Sequence, residues 1–287
     1  AIVYVRAEYP LAVKIVTKAI GQAKELGLLG KGVLGSAFDL DIDVFQGSGA
    51  FVCGEETALI QSIEGNRGMP RHRPPYPVQQ GLWGQPTVIN NVKTLAAVAP
   101  IVHNGPDWFR SIGTQDSPGT TVFSVVGDVT HPGLVEIPMG VTLRTLIFDI
   151  CGGIPNKKKF KAVQIGGPSG GCLPESFLDT PIDFDSLTEA GAMMGSGGMV
   201  VMDETTCMVK ALARMSHFYY EESCGQCTPC REGTGWLSRV IHRIEHGQGK
   251  QEDLDLLLDV ANKIQGRTIC ALGDAAAMPV TSFVQKF

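Results

Sequence analysis

The sequence predicts an α/β, Rossmann-like domain that begins part-way through its fold, then a β-grasp (ubiquitin-like) module, then a C-terminal α-helical bundle. Three observations predict it: a strand–helix–strand pattern with a glycine turn in the first hundred residues, a strand–turn–strand–helix–strand order from Gly119, and purely helical periodicity from Asp203 onward. At 287 residues, with 44% hydrophobic and 18% charged residues, the chain exceeds one typical domain and can bury a sizeable core. The expected divisions are 1–112, 113–202 and 203–287.

Residues 2–5 read as a short apolar strand. Pro10 then opens a helix in which Ala12, Ile15, Val16, Ala19, Ile20, Ala23 and Leu26 recur at helical spacing. Residues 41–45 alternate as a second strand, and the turn Gly47-Ser48-Gly49 leads through 50–53 into a helix beginning near Gly54-Glu55-Glu56. This order suggests a parallel sheet with right-handed crossovers. Residues 65–86, with the run RGMPRHRPPYP, form a long irregular loop, and a helix resumes over 87–99. In the second region strands are expected at 121–126, 134–137 and 162–165, with a helix at 143–151. The glycine-rich segment 166–172 suits close approach to a ligand or a neighbouring domain. Helices around 206–221, 234–245 and 252–264 point to a four-helix bundle.

A net charge of -5 and a pI near 5.7, without a basic face, argue against nucleic-acid binding. No apolar run approaches the roughly 18 residues of a membrane helix, and the opening AIVYVRAEYP lacks the layout of a signal peptide. A cytoplasmic protein without direct membrane insertion is expected. Ala1 falls inside what reads as a strand, so part of the first domain is expected upstream of it.

Eight cysteines are unevenly placed. Cys224, Cys227 and Cys230 follow one another at intervals of three, and Cys270 lies farther on in TICAL. Three thiolates on one tight loop with a remote fourth is the layout of [4Fe–4S] ligation. Structural zinc takes two separated pairs, so the spacing favours iron–sulfur over zinc. Cys53, Cys151 and Cys207 sit in apolar stretches and are expected to be inert core thiols, whereas Cys172 in its glycine-rich turn has no evident role.

The glycine turn at 47–54 could offer backbone amides to an anionic ligand at a helix start. A purely structural turn explains it equally well. Glu55 and Glu56 have a similar plain reading as charges favoured at a helix N-terminus. Asn90 and Asn91 could donate to a ring or phosphate or could cap the next helix, and Tyr76 could stack on a base or anchor its loop. His217, His242 and His246, on helices, read as solvated or core-satisfied.

Taken together, GSGAFVCGEETALIQSIEG, PTVINNVKTLA, ESCGQCTPCREG and TICALGDAAAMPV resemble the flavoprotein (51 kDa) subunit of respiratory complex I and its counterparts in NAD-dependent hydrogenases and formate dehydrogenases. The resemblance runs over nearly the whole chain. It implies an FMN- and NADH-binding first domain, a β-grasp domain, and a bundle carrying a [4Fe–4S] cluster. It further implies that Gly54, Glu55, Asn90, Asn91 and Thr94 contact FMN, that Glu56, Phe51 and Tyr76 line the NAD(H) side, and that Cys224, Cys227, Cys230 and Cys270 hold the cluster. Phe51 stands where relatives often have tyrosine. The family's FMN-phosphate loop would precede Ala1. Implied partners are a thioredoxin-like [2Fe–2S] subunit and further iron–sulfur subunits.

The activity so implied is that of an NADH:acceptor oxidoreductase (diaphorase) subunit, with flavin converting two-electron hydride chemistry into single electrons and no general acid or base in the hydride step. Two other readings stand beside it: a docking and electron-relay module that binds no flavin, and a zinc-stabilised ligand-binding protein. The loop IGGPSGGCLP resembles hydrogenase- and formate-dehydrogenase-linked relatives more than the respiratory enzyme, which points to an anaerobic cytoplasmic complex.

Overall fold

The computed structural model describes residues 1–287 and divides into two units, Ala1–Ile89 and Asn90–Phe287. In the first, β1 (Ile2–Val5) and β2 (Asp43–Gln46) pair in parallel, Ile2 opposite Asp43 and Val5 opposite Gln46. Helix α1 (Pro10–Glu25) makes the crossover that parallel pairing requires, with Pro10 in its first turn, where a missing N–H costs nothing. It buries none of its residues, and Leu11 and Ile15 are exposed.

After β2 the chain turns at Gly47, where a Cβ would fall 2.2 Å from the Tyr4 hydroxyl, and at Gly49, whose φ is 91°. The segment that joins this strand to the next helix is a 3-10 turn, Phe51–Gly54, closed by the Glu55 N–H donating to the Val52 carbonyl at 3.0 Å. Turning here buries Val52 and Cys53, and Gly68 leaves the space that the Cys53 sulfur fills. Helix α2 (Glu56–Ile63) follows.

The second unit opens with α3 (Val92–Asn104) and α4 (Pro106–Arg110). Helix α3 starts five residues later than the expected 87, because Asn91 caps it: its side chain accepts from the Lys93 N–H at 2.8 Å. Then come β3 (Thr120–Gly127), β4 (Gly133–Pro138), a π-helical turn at Thr145–Ile150, β5 (Phe160–Ile165), β6 (Cys172–Pro174), α5 (Phe184–Glu189) and β7 (Gly198–Asp203). Their order in the sheet is β4-β3-β7-β5-β6, with the inner neighbours β3 and β7 parallel and every other pairing antiparallel. That is the arrangement of a β-grasp sheet.

Alternation along the strands gives the sheet two buried faces. Phe123, Val125, Val163, Ile165, Met199 and Val201 pack on Leu143, Leu146 and Ile147. Ala162, Cys172 and Met202 face the other way, into the helices α6 (Met208–Glu222), α7 (Thr228–Glu245), α8 (Glu252–Ile264) and α9 (Leu272–Lys286). Successive helices pack on one another and α6 closes on α9, giving a four-helix bundle. Helix α7 begins six residues earlier than its pattern suggests. Gly233 and Gly235 look like helix breakers, yet a Cβ on Gly233 would meet Ile264 at 2.6 Å, and one on Gly235 would meet Tyr220 at 2.9 Å. They are packing glycines. No helix is long and apolar enough to cross a membrane.

The glycine-rich segment serves the fold. A Cβ on Gly171 would lie 2.0 Å from the Gly191 carbonyl, and the Cys172 N–H donates to the Ser282 hydroxyl of α9 at 2.9 Å. Cys172 thus lies wholly buried between sheet and bundle, where desolvation pushes its thiol up to about 12. Cys53 and Cys151 are buried as expected, but Cys207 is exposed just before α6, because the chain leaves the core there to enter the bundle.

The junction of β7 with the bundle rests on Asp203, which is 1% exposed. Its carboxylate accepts from Lys158 Nζ at 2.6 Å and from the Thr205 N–H at 2.8 Å, while its own N–H donates to Asp128. The hydrogen bonds from Lys158 and Thr205 hold its pKa down to about 2. A carboxyl depressed in this way stabilises the fold fully above its unfolded value of about 3.9 and loses that contribution as pH falls through the folded value. Asp203→Asn should therefore lower the urea midpoint at pH 7, and its deficit against the native chain should shrink between pH ~4 and ~2. An equal deficit at pH 7 and pH ~3 would contradict this.

Candidate functional site

The loop from α6 to α7 brings three cysteines to the end of the bundle. Ser223 leaves the helix with extended backbone, and Gly225, at φ 78°, reverses the chain between Cys224 and Cys227. The Ser223 hydroxyl accepts from the Gly225 N–H, and Arg231 donates to the Gly225 carbonyl at 3.1 Å, so the loop is tied on both sides. Cys227 is the residue before α7, but its side chain makes no capping bond, which leaves the sulfur for another partner. Cys230, one turn inside the helix, is buried, with the Ser223 hydroxyl 3.3 Å from its sulfur.

Cys270 comes from the opposite loop, between α8 and α9. That loop is fixed by the Gly266 N–H donating to Asp274 at 2.6 Å and by the Thr268 hydroxyl donating to the Cys270 carbonyl at 2.8 Å. A Cβ on Gly273 would meet Thr268 at 2.5 Å, so the glycine lets this loop lie close on α9.

The four thiols act on one another. Burial pushes Cys230 up to about 11, and the charges of Cys227, Cys270 and Cys224 push it the same way. Such a set needs a cation between its members to be held as thiolates. An all-thiolate set with three members at the α6–α7 loop and a fourth at the α8–α9 loop fits a cubane of several irons.

In the first unit, Phe51 lies half-buried in the turn before Gly54, and Gly54 is exposed with open space where a Cβ would stand. Glu55 caps α2, accepting from the Thr57 and Ala58 N–H groups at 2.9 and 3.0 Å. Those amides, which the glycine turn was expected to offer to an anion, are therefore already bonded. The other Glu55 oxygen pairs with Arg73, whose second nitrogen reaches Glu56 at 3.0 Å. Tyr76, exposed, lies within electrostatic reach of the same guanidinium. Sequence reasoning missed Arg73 and Ser223; a cation in a proline-rich loop opposite two adjacent carboxylates was the available signal for the first. In the second unit, Asn90 and Asn91 precede α3 and Thr94 lies in its first turn, all exposed.

Comparison with known families matches residues 210–287 to the NADH-ubiquinone oxidoreductase-F iron-sulfur binding region, 1–100 to the Nuo51 FMN-binding domain and 122–173 to the SLBB domain. The chain is 51% identical over 285 residues to the HndC subunit of the NADP-reducing hydrogenase of Solidesulfovibrio fructosivorans, covering 99% of this chain and 58% of that protein. It is 48% identical to the F-type subunit of NADH-quinone oxidoreductase in Mycobacterium tuberculosis, over 100% of this chain and 64% of that protein. With a second F-type subunit of the same enzyme in Rhizobium meliloti the figures are 49%, 100% and 68%. The chain thus spans about three-fifths of the length of the first curated relatives it matches. A solved NAD+-reducing [NiFe]-hydrogenase in the H2-reduced state superposes with a TM-score of 0.89 at 38% identity, over 99% of this chain and 47% of the hydrogenase chain.

If the loop at 268–270 positions a metal ligand, Gly273→Ala should weaken iron retention by about 10-fold, as loss of support around a metal site typically does, while leaving helical circular dichroism intact. Unchanged iron and acid-labile sulfide in that variant would refute the assignment of Cys270.

Proposed function

The chain belongs to the NADH-quinone oxidoreductase-F family, and on that premise we propose that it moves electrons between NAD(H), FMN and a [4Fe–4S] cluster as a diaphorase subunit of a multisubunit oxidoreductase. The observation that carries this is the gathering of Cys224, Cys227 and Cys270 around Cys230 from two loops of the bundle.

Cys224, Cys227, Cys230 and Cys270 bind the cluster. Ser223 holds the first loop and lies beside the Cys230 sulfur. Flavin and cluster together supply the change from hydride transfer to single-electron transfer. Gly54 and Glu55 make FMN contacts in the first unit, where the bare backbone at Gly54 allows close approach; Asn90, Asn91 and Thr94 are the FMN contacts carried by the second unit. Phe51 and Tyr76 offer ring faces on the NAD(H) side, and Glu56 positions the dinucleotide without exchanging a proton.

The division at 112/113 and 202/203 separates FMN, β-grasp and cluster domains, in keeping with the spans of the three family matches. A thioredoxin-like [2Fe–2S] subunit and further iron–sulfur subunits receive the electrons. The complex works in the cytoplasm, at the inner face of a membrane where its partners are membrane-bound.

Acid release of flavin from the full-length protein should give FMN in step with iron and sulfide. Dithionite-reduced protein should show a cluster signal in electron paramagnetic resonance that Cys227→Ala abolishes. Iron and sulfide without FMN would favour a docking and relay module, and an unaltered spectrum in the variant would reject the ligand set.

A further inference from the structure

The last turn of α7 carries a second group of ligand atoms. His242, Glu245 and His246 stand at i, i+3 and i+4, so they share one helix face. One ligand atom from each lies within 4.8 Å of the others, and all three residues are exposed. The two imidazole rings are 4.0 Å apart at their centroids and inclined by 41°.

The His246 Nδ1–H donates to the His242 carbonyl at 2.8 Å. A carbonyl only accepts, so the proton is on Nδ1 and the neutral ring keeps its lone pair on Nε2. Metal-binding imidazoles are commonly held in this way, with one nitrogen fixed by a backbone oxygen and the other presented to the ion. Arg243, the cation of the same turn, is paired with Asp253 and does not compete. The site also sits at the C-terminal, partially negative end of the helix, where a cation is favoured.

We infer that His242, Glu245 and His246 bind one divalent transition-metal ion of the zinc type through two imidazoles and a carboxylate, with water completing the shell. Two nitrogens and one oxygen suit zinc, nickel or copper rather than calcium or magnesium. Around one zinc these donors would lie about 3.4 Å apart, a spacing that exposed side chains reach by rotation alone. The site shares no residue with the four-thiol centre; Cys230 and His242 are about 18 Å apart along the helix axis. A bound ion would fasten the far end of the helix that begins with Cys227 and Cys230.

The test is calorimetric titration of zinc, under anaerobic conditions, into the full protein with its iron–sulfur cluster in place, so that the thiols are already occupied. One zinc should bind per chain with the visible absorbance of the cluster unchanged. His242→Ala and His246→Ala should each weaken binding by about 10-fold or more, Glu245→Gln should weaken it less, and His217→Ala, on α6, should have no effect. Equal zinc affinity and stoichiometry in the native protein and His242→Ala would overturn the inference, as would no uptake by the native protein at about 0.1 mM zinc.

Discussion

Four sulfurs drawn together in a partly buried space repel one another as soon as they ionise, and the rest of this end of the bundle is arranged around that repulsion. Cys230 shows it most clearly, because burial and three neighbouring thiols all oppose its ionisation. A chain with only a hydrophobic core to satisfy would have no reason to gather them. The arrangement becomes favourable once positive charge lies between the sulfurs.

Holding the four sulfurs together demands that two loops end in register, and glycine does most of that work. Gly225 supplies a left-handed turn inside the three-cysteine loop, Gly273 lets the Cys270 loop rest on α9, and Gly233 brings α7 against Ile264 of α8. The same helices are tied to the β-grasp sheet through Ser282, which binds the Cys172 N–H, and through Ala162 and Met202 in the shared core. Movement of the sheet against the bundle would therefore disturb the loops that present the thiols.

Much of this was legible in the sequence because the relevant signals are local. Cysteine spacing, the strand–turn–strand order after Gly119 and the helical period after Asp203 each depend on neighbours within a few residues. What escaped depends on distant partners. The turn at 51–54 depends on Gly68 making room for Cys53, and α7 began early because its glycines pack against Ile264 and Tyr220. Strands β6 and β7 and helix α5 lay hidden behind a glycine-rich stretch whose contacts are to Gly191 and Ser282. Cys172 had no readable role for the same reason, since its surroundings come from a helix 110 residues away.

The adjacent carboxylates Glu55 and Glu56 show how structure separates residues that sequence treats alike. Glu55 satisfies two amides at the start of α2, a contribution of about 1 kcal/mol for a typical cap, and gives its other oxygen to Arg73. Releasing it would leave helix donors unpaired. Glu56 has only the Arg73 contact at 3.0 Å, between side chains 39% and 34% exposed, and an ion pair of that kind is worth about 0–1 kcal/mol. Exchanging it for a ligand hydroxyl costs little. Of the two, Glu56 is the carboxylate whose partner is more easily exchanged, and Glu55 is the one that keeps the turn beneath it in shape.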